Sequence, residues 1–244
     1  MKPTEYPSIP GAGLGPDPAE IDFLSGSSYH AFMITRLLGI NAECLDTHKF
    51  GRIIRVLNQD GVIVYPTDTF YGLGGSCFSA PAIERIYELK RRDPAKPLLV
   101  VVSDTDMAIR LASDIPPLFT ELASKFWPGP LTLILRAAAD VPRELLGDGD
   151  SIAVRLPGVF WLRALIRQAD FPIVATSANI SGEKEVSTAE EALALFNGTV
   201  DLVVDGGRTE GFKPSTVVDL TGAKPRLVRE GALPKDKLGK YFQD

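Results

Sequence analysis

Cysteine is scarce in this chain: Cys44 and Cys77 are the only two in 244 residues. They form no C-x-x-C pair and no zinc-ligand spacing, so neither a disulfide scaffold nor a zinc site is expected, and two inert thiols in a reducing cytoplasm is the plain reading. Histidine is as rare. His30 and His48 precede every motif described below, which argues against a Ser-His-Asp or Cys-His centre. No apolar run approaches the roughly 18 residues a membrane helix needs. No G-x-x-x-x-G-K-[ST] loop occurs either, so any nucleotide must be held by something other than a P-loop. A basic excess is also missing. The net charge of −5 argues against broad nucleic-acid binding, because neutralising a phosphate backbone takes a basic face, although a local basic cavity stays open. Apolar surface is plentiful, with 45% hydrophobic residues to fill one core.

Residues 1–28 hold five prolines before position 20, interleaved with Gly11, Gly13 and Gly15, and read as an irregular arm. The arm lacks the apolar core of a secretory signal, and Glu5, Asp17, Glu20 and Asp22 do not suit a transit peptide. Its G-x-G-x-G follows no strand and opens no helix, which rejects a dinucleotide fingerprint. Residues 29–40 are apolar enough for a short helix. The division expected is therefore an arm with a short apolar segment over 1–45 and a main domain over 46–244.

The main domain is organised around Gly61 to Leu99. Asp46 or Thr47 can cap a helix bearing Phe50, Ile53, Ile54 and Leu57 on one face and closed by Gly61. A buried strand over Val62–Tyr65 stops at Pro66, and a turn rich in hydroxyls and glycine follows, with Thr67, Asp68, Thr69, Gly72, Gly74 and Gly75. Such a turn at a strand end is where open α/β sheets bind ligands. Ser79 or Ala80 starts a helix whose apolar arc, Ile83, Ile86 and Tyr87, carries Lys90 at its centre. Two readings compete for that lysine. It could favour the helix dipole and snorkel to water. Alternatively, with Arg91, Arg92 and Lys96 crowded into the next loop against Asp93 alone, it could belong to a polyphosphate site.

Downstream, strands are expected over Leu98–Val102, Leu131–Leu135, Ser151–Leu156, Pro172–Thr176, Asp201–Val204, Ser215–Leu220 and Arg226–Arg229. Helices are expected from Ser103 or Asp104 through Leu111, from Pro116 to Trp127, over Phe160–Gln168 and over Thr188–Asn197, with Val141–Gly149 an exposed connection. Gly206, Gly207 and Gly211 frame a loop holding Arg208 and Lys213. The alternation indicates an α/β fold, a twisted open mixed sheet with flanking helices and a basic ligand cavity at strand ends. Strand periodicity puts Ser151, Ala153 and Arg155 on one face. Arg155 among apolar neighbours is either a structural ion-pair partner or a bidentate carboxylate clamp. Ser177 and Asn179, just after a strand, are either turn formers or ligand contacts.

The motifs YPTDTFYGLG, K-x-R (Lys90 and Arg92), WPGPLT, AVRLP, SANISG and PSTVVDL, in that order over about residues 48 to 232, resemble the YrdC-type threonylcarbamoyl-AMP synthase family. Asp244 falls about a dozen residues past the end of that stretch, which resembles the short, single-domain form. The resemblance implies condensation of L-threonine, bicarbonate and ATP to threonylcarbamoyl-AMP, with magnesium arriving on the nucleotide and no protein metal cluster. Asp68 could reach an outer shell of that ion. The product would feed a downstream tRNA threonylcarbamoyl transferase acting on adenosine 37, with direct tRNA binding weak or absent and no membrane. It further implies that Thr69, Arg155 and Ser215 hold threonine. Arg92, Lys96, Ser151, Ser177, Asn179 and Arg229 would hold ATP, with Lys90 supporting the phosphates and Lys90, Arg92, Ser177 and Asn179 forming the catalytic set.

The chain departs from the family's pattern twice. Asp93 intervenes where many relatives follow K-x-R directly with proline, and Val101 stands where some have histidine. A non-catalytic RNA-binding module on the same fold is the alternative from another class; the acidic total and the lack of an aromatic-basic stripe count against it. The carbamoyl-transfer domain of hydrogenase maturation proteins would bring zinc-finger and acylphosphatase segments. A paralogue group without S-A-N and K-x-R is the nearest rival, and both motifs are present here.

Overall fold

The computed structural model describes residues 33–41, 46–210 and 213–242. The expected arm, the first part of the 29–40 segment, His30, Cys44 and Gly211 lie outside the described residues. In chain order the elements are β1 (Arg36–Gly39), α1 (Thr47–Leu57), β2 (Ile63–Pro66), β3 (Tyr71–Gly74), α2 (Ala80–Lys90), β4 (Leu99–Val101), α3 (Thr105–Arg110) and α4 (Pro117–Phe126). Then follow β5 (Leu131–Arg136), β6 (Ser151–Arg155), α5 (Phe160–Ala169), β7 (Ile173–Ser177), α6 (Ala189–Phe196), β8 (Leu202–Asp205), β9 (Thr216–Asp219) and β10 (Arg226–Arg229).

The helices start where short polar side chains can satisfy free N–H groups. Asp46 accepts from the amides of His48 and Lys49, Ser79 from Ala82, Asp104 from Met107 and Thr188 from Glu191. α1 buries Phe50, Ile53 and Leu57, and α2 buries Ala82, Ile83, Ile86, Tyr87 and Lys90, the arc expected from the periodicity.

All ten strands of the described residues join one mixed sheet in the order β1-β8-β2-β3-β7-β4-β6-β5-β9-β10. The pairs β1–β8, β2–β8, β4–β6 and β5–β9 are parallel, and the remainder are antiparallel. This is the expected α/β class with an open mixed sheet.

Three local expectations are corrected. Arg36–Gly39 is a strand and not the end of a helix: it pairs with Leu202–Asp205, so the first sheet element precedes residue 46. A short apolar run cannot by itself distinguish the two, and β8 supplies a partner that sequence does not reveal. The glycine-rich tract after Pro66 is a turn only over Thr67–Phe70; Tyr71–Gly74 is a central strand between β2 and β7. Its glycines serve close approach, since a Cβ on Gly74 would collide with the Val174 carbonyl of β7. The 141–149 connection is not simply exposed, for it holds a 3-10 turn over Arg143–Leu145 and buries Val141, Leu145 and Leu146.

Candidate active site

A cavity of about 380 Å³ lies over one face of the sheet, where the expectation was the strand ends. The pairing registers explain the difference. Gly72 pairs with Ser177, Leu99 with both Ala153 and Ala175, Ala153 with Ile134, and Thr132 with both Arg155 and Val217. Partners in register point to the same face, so these residues from six strands form one floor. Small side chains at Gly72, Ala153 and Ala175 leave the depression in its middle. The β2–β3 turn closes one side. There Thr67 Oγ1 donates to the Phe70 carbonyl at 2.6 Å and accepts from the Thr69 amide at 3.1 Å, fixing the two hydroxyls at the rim.

Three arginines give the cavity its sign. Arg155 is 6% exposed. Its Nη2 donates to Asp68 Oδ2 at 2.6 Å and its Nε to the Gly129 carbonyl at 3.0 Å. The Gly158 amide donates to the same Asp68 oxygen at 3.3 Å. Arg155 therefore lines the cavity and is also an ion-pair partner, with Asp68 held on it. Val101 pairs in register with Arg155 on the adjacent strand. Arg229 donates from Nε and Nη2 to the Ser215 carbonyl at 3.2 and 2.9 Å. Burial lowers the pKa of both guanidiniums from the ordinary arginine value; Arg155 lowers that of Arg229 further, while Asp68 counters the shift at Arg155. Arg92 reaches the wall from the loop after α2, donating to the Pro97 carbonyl at 2.9 Å. Such a site favours anionic groups with planar oxygens.

Of the residues singled out from sequence, Thr69, Arg92, Arg155, Ser177, Ser215 and Arg229 line this one cavity. Lys90, Lys96, Ser151 and Asn179 are not brought to its wall. Ser151 shares the face of Ala153 and Arg155 as expected, but sits at the far end of β6 opposite Arg136. Lys96 is exposed and is tied down through its backbone: its carbonyl accepts from Tyr87 Oη at 3.0 Å and Arg92 Nε at 3.4 Å, and its amide donates to the Asp93 carbonyl at 3.0 Å. Asp93 turns onto its own loop, where Oδ1 accepts the Ala95 amide at 3.0 Å.

Lys90 and Asn179 lie behind the wall, 2% and 5% exposed. Lys90 Nζ donates to the Ser177 carbonyl at 2.6 Å, to the Asn179 carbonyl at 2.8 Å and to Asn179 Oδ1 at 3.1 Å. It does not snorkel to water. Burial first, and then Arg92, pull its pKa down to about 8.

Thr132 and Glu185 also line the cavity and were not singled out. Thr132 Oγ1 and Ser215 Oγ share a hydrogen bond of 2.8 Å. The position was legible in principle, because Thr132 ends the WPGPLT motif and is the second residue of a strand. Glu185 sits in an irregular segment, and nothing in its local sequence marks it. Among the described residues no group of three His, Cys, Asp or Glu side chains is placed to hold a metal ion. No helix among them is long and apolar enough to cross a membrane.

Fold and cavity together define an α/β protein with an arginine- and hydroxyl-lined pocket on the face of a mixed sheet, suited to anionic ligands. The Sua5_yciO_yrdC model, described as telomere recombination, matches residues 55–231, and the chain belongs to that family. The threonylcarbamoyl-AMP synthase of Pyrococcus abyssi is 38% identical over 186 residues, covering 76% of this chain and 55% of the relative. The protein of the same name from Bacillus subtilis is 36% identical over 185 residues, covering 75% and 53%. Among solved structures, P. abyssi Sua5 complexed with L-threonine superposes with a TM-score of 0.81 at 35% identity, covering 85% of this chain and 61% of that one. The chain spans little more than half the length of the curated relatives it matches.

Proposed function

We propose that this chain condenses L-threonine, bicarbonate and ATP into threonylcarbamoyl-AMP, releasing pyrophosphate and water. The observation that carries the reading is the single cavity that gathers Arg92, Arg155 and Arg229 with the hydroxyls of Thr69, Ser177 and Ser215. The names of the relatives, and the threonine complex of the P. abyssi structure, supply the substrates. In this reading Arg155, Ser215 and Thr69 take the amino acid, and Arg92, Ser177 and Arg229 take the nucleotide, which brings magnesium with it as part of the substrate. The threonine amine forms a bond to the bicarbonate carbon with loss of water. A carbamate oxygen then attacks the α-phosphorus, and pyrophosphate leaves. Negative charge grows on the phosphoryl oxygens, where fixed guanidiniums stabilise it without a proton relay, so a cavity without histidine is adequate.

The catalytic unit in this reading is the domain over 46–244 together with β1, which pairs with β8 in the same sheet. The product passes to a separate tRNA threonylcarbamoyl transferase in the cytoplasm. Direct tRNA binding is weak or absent.

Pyrophosphate release, with threonine, bicarbonate and ATP each omitted in turn, tests the proposal. Release should depend on all three. Equal release without threonine would remove it, and tight tRNA binding with no turnover would favour an RNA-binding role.

A further inference from the structure

The K-x-R motif is divided by the end of α2. Arg91 caps that helix in the left-handed region, at φ 48° and ψ 41°, and its amide and that of Arg92 bond the carbonyls of Glu88 and Tyr87. On one side of this cap Arg92 reaches the cavity wall; on the other Lys90 is turned inward and buried.

Everything Lys90 can donate goes to one turn. An ammonium has three N–H groups, and the three acceptors are the carbonyls of Ser177 and Asn179 and the Asn179 side-chain oxygen, at 2.6, 2.8 and 3.1 Å. The Lys90 carbonyl accepts the Ser181 amide at 2.9 Å, so the residue grips the turn from both its ends. Asn179 is equally occupied: Oδ1 also accepts from Ser177 Oγ at 2.6 Å, and Nδ2 donates to the Glu183 carbonyl at 2.6 Å. Of the three, only Ser177 lines the cavity.

We infer that Lys90 is a positioning residue, which pins the Ser177–Ser181 turn to the end of α2 with Asn179 as its relay and does not touch the nucleotide phosphates. The lysine of K-x-R and the asparagine of S-A-N are thereby one structural unit, whose product is the placement of Ser177. The ligand arm of the test rests on the proposed function; the other arm does not.

The variant is Lys90→Met, which keeps an unbranched apolar stem of similar reach, with Asn179→Ala as the second. Amide hydrogen exchange in the ligand-free protein should accelerate at least tenfold over 178–181 in either variant, with β5 and β6 unchanged. The double variant should exchange no faster than the worse single one. Binding of ATP and of AMP should weaken by the same factor, within threefold, because a displaced turn does not count phosphates. Unchanged exchange at the turn would overturn the inference. So would a loss for ATP ten times greater than for AMP, which would place the ammonium on the phosphates. If the wild type bound neither nucleotide, the proposed function would fall and the exchange measurement would still decide the role of Lys90.

Discussion

Arg155 and Asp68 meet at 2.6 Å, so the cavity-lining arginine proposed to receive a substrate carboxylate already holds one of the protein's own. Asp68 is the carboxylate bonded to a guanidinium that is 6% exposed. Asp68→Asn should therefore destabilise the fold by about 2 kcal/mol, below the cost of breaking a fully buried pair because the aspartate is partly solvated. Threonine supplies a replacement carboxylate, so its addition should raise the Tm of the variant more than that of the wild type. Equal shifts in the two proteins would show that the substrate does not approach Arg155.

Arg155→Lys keeps the charge and loses the fork. A lysine cannot serve the Gly129 carbonyl and a carboxylate with the spacing that Nε and Nη2 provide. The threonine KM should rise at least tenfold. The ATP dissociation constant measured without threonine should stay within about a factor of three, or less than ~1 kcal/mol. Comparable losses for both ligands would mean that the variant collapses the cavity.

The strand–helix alternation was readable because buried strands and capped helices leave local marks: Asp46, Ser79, Asp104 and Thr188 all cap where their residue type suggests. Tyr71–Gly74 was not readable as a strand. Its glycines signal a turn locally, whereas the reason for them is the Val174 carbonyl of a strand a hundred residues away in sequence. The cavity residues were legible as polar groups in motifs, but which of them face solvent was not. Lys90 and Arg92 are two residues apart, and a left-handed cap sends one into the core and the other to the wall.

The Arg92 guanidinium donates to the Lys96 and Pro97 carbonyls of its own loop, and the helix-capping bond of Arg92 comes from its backbone amide, so Arg92→Ala should leave the fold intact. It should lower kcat/KM for pyrophosphate release by a factor corresponding to about 2 to 4 kcal/mol, the scale for removing one preorganised charge-stabilising group. Wild-type kcat/KM in this variant would remove Arg92 from the proposed nucleotide site.

Thr132 Oγ1 shares a 2.8 Å hydrogen bond with the Ser215 hydroxyl, shorter than the 3.4 Å contact that hydroxyl accepts from Arg229 Nη2, and both Thr132 and Ser215 are buried. Thr132→Val should raise the threonine KM by a factor corresponding to about 1 kcal/mol, the usual net worth of one hydrogen bond. Thr132→Ser, which keeps the hydroxyl, should restore it. A serine variant as impaired as the valine one would show that the methyl group matters and the hydroxyl does not.

Burial and the Arg92 charge bring the Lys90 pKa down to about 8, against a weaker pull upward from Glu185 across the turn. A base keeps its proton below its pKa, so near neutrality Lys90 is an ammonium with three N–H groups for three acceptors. Raising the pH from about 7 to about 9 removes one N–H and the charge, takes one of the three Lys90 bonds from the turn, and turns a lone pair toward carbonyl oxygens. Nucleotide affinity should therefore fall on the alkaline side with a midpoint near the Lys90 pKa. Cys77 and Tyr71 do not confuse this window, since burial pushes the thiol up and the phenol to about 12. In Lys90→Met the affinity should already be weak and should lose the alkaline step. The same step in that variant would assign the titration to another group and detach the pH dependence from the turn that Lys90 holds.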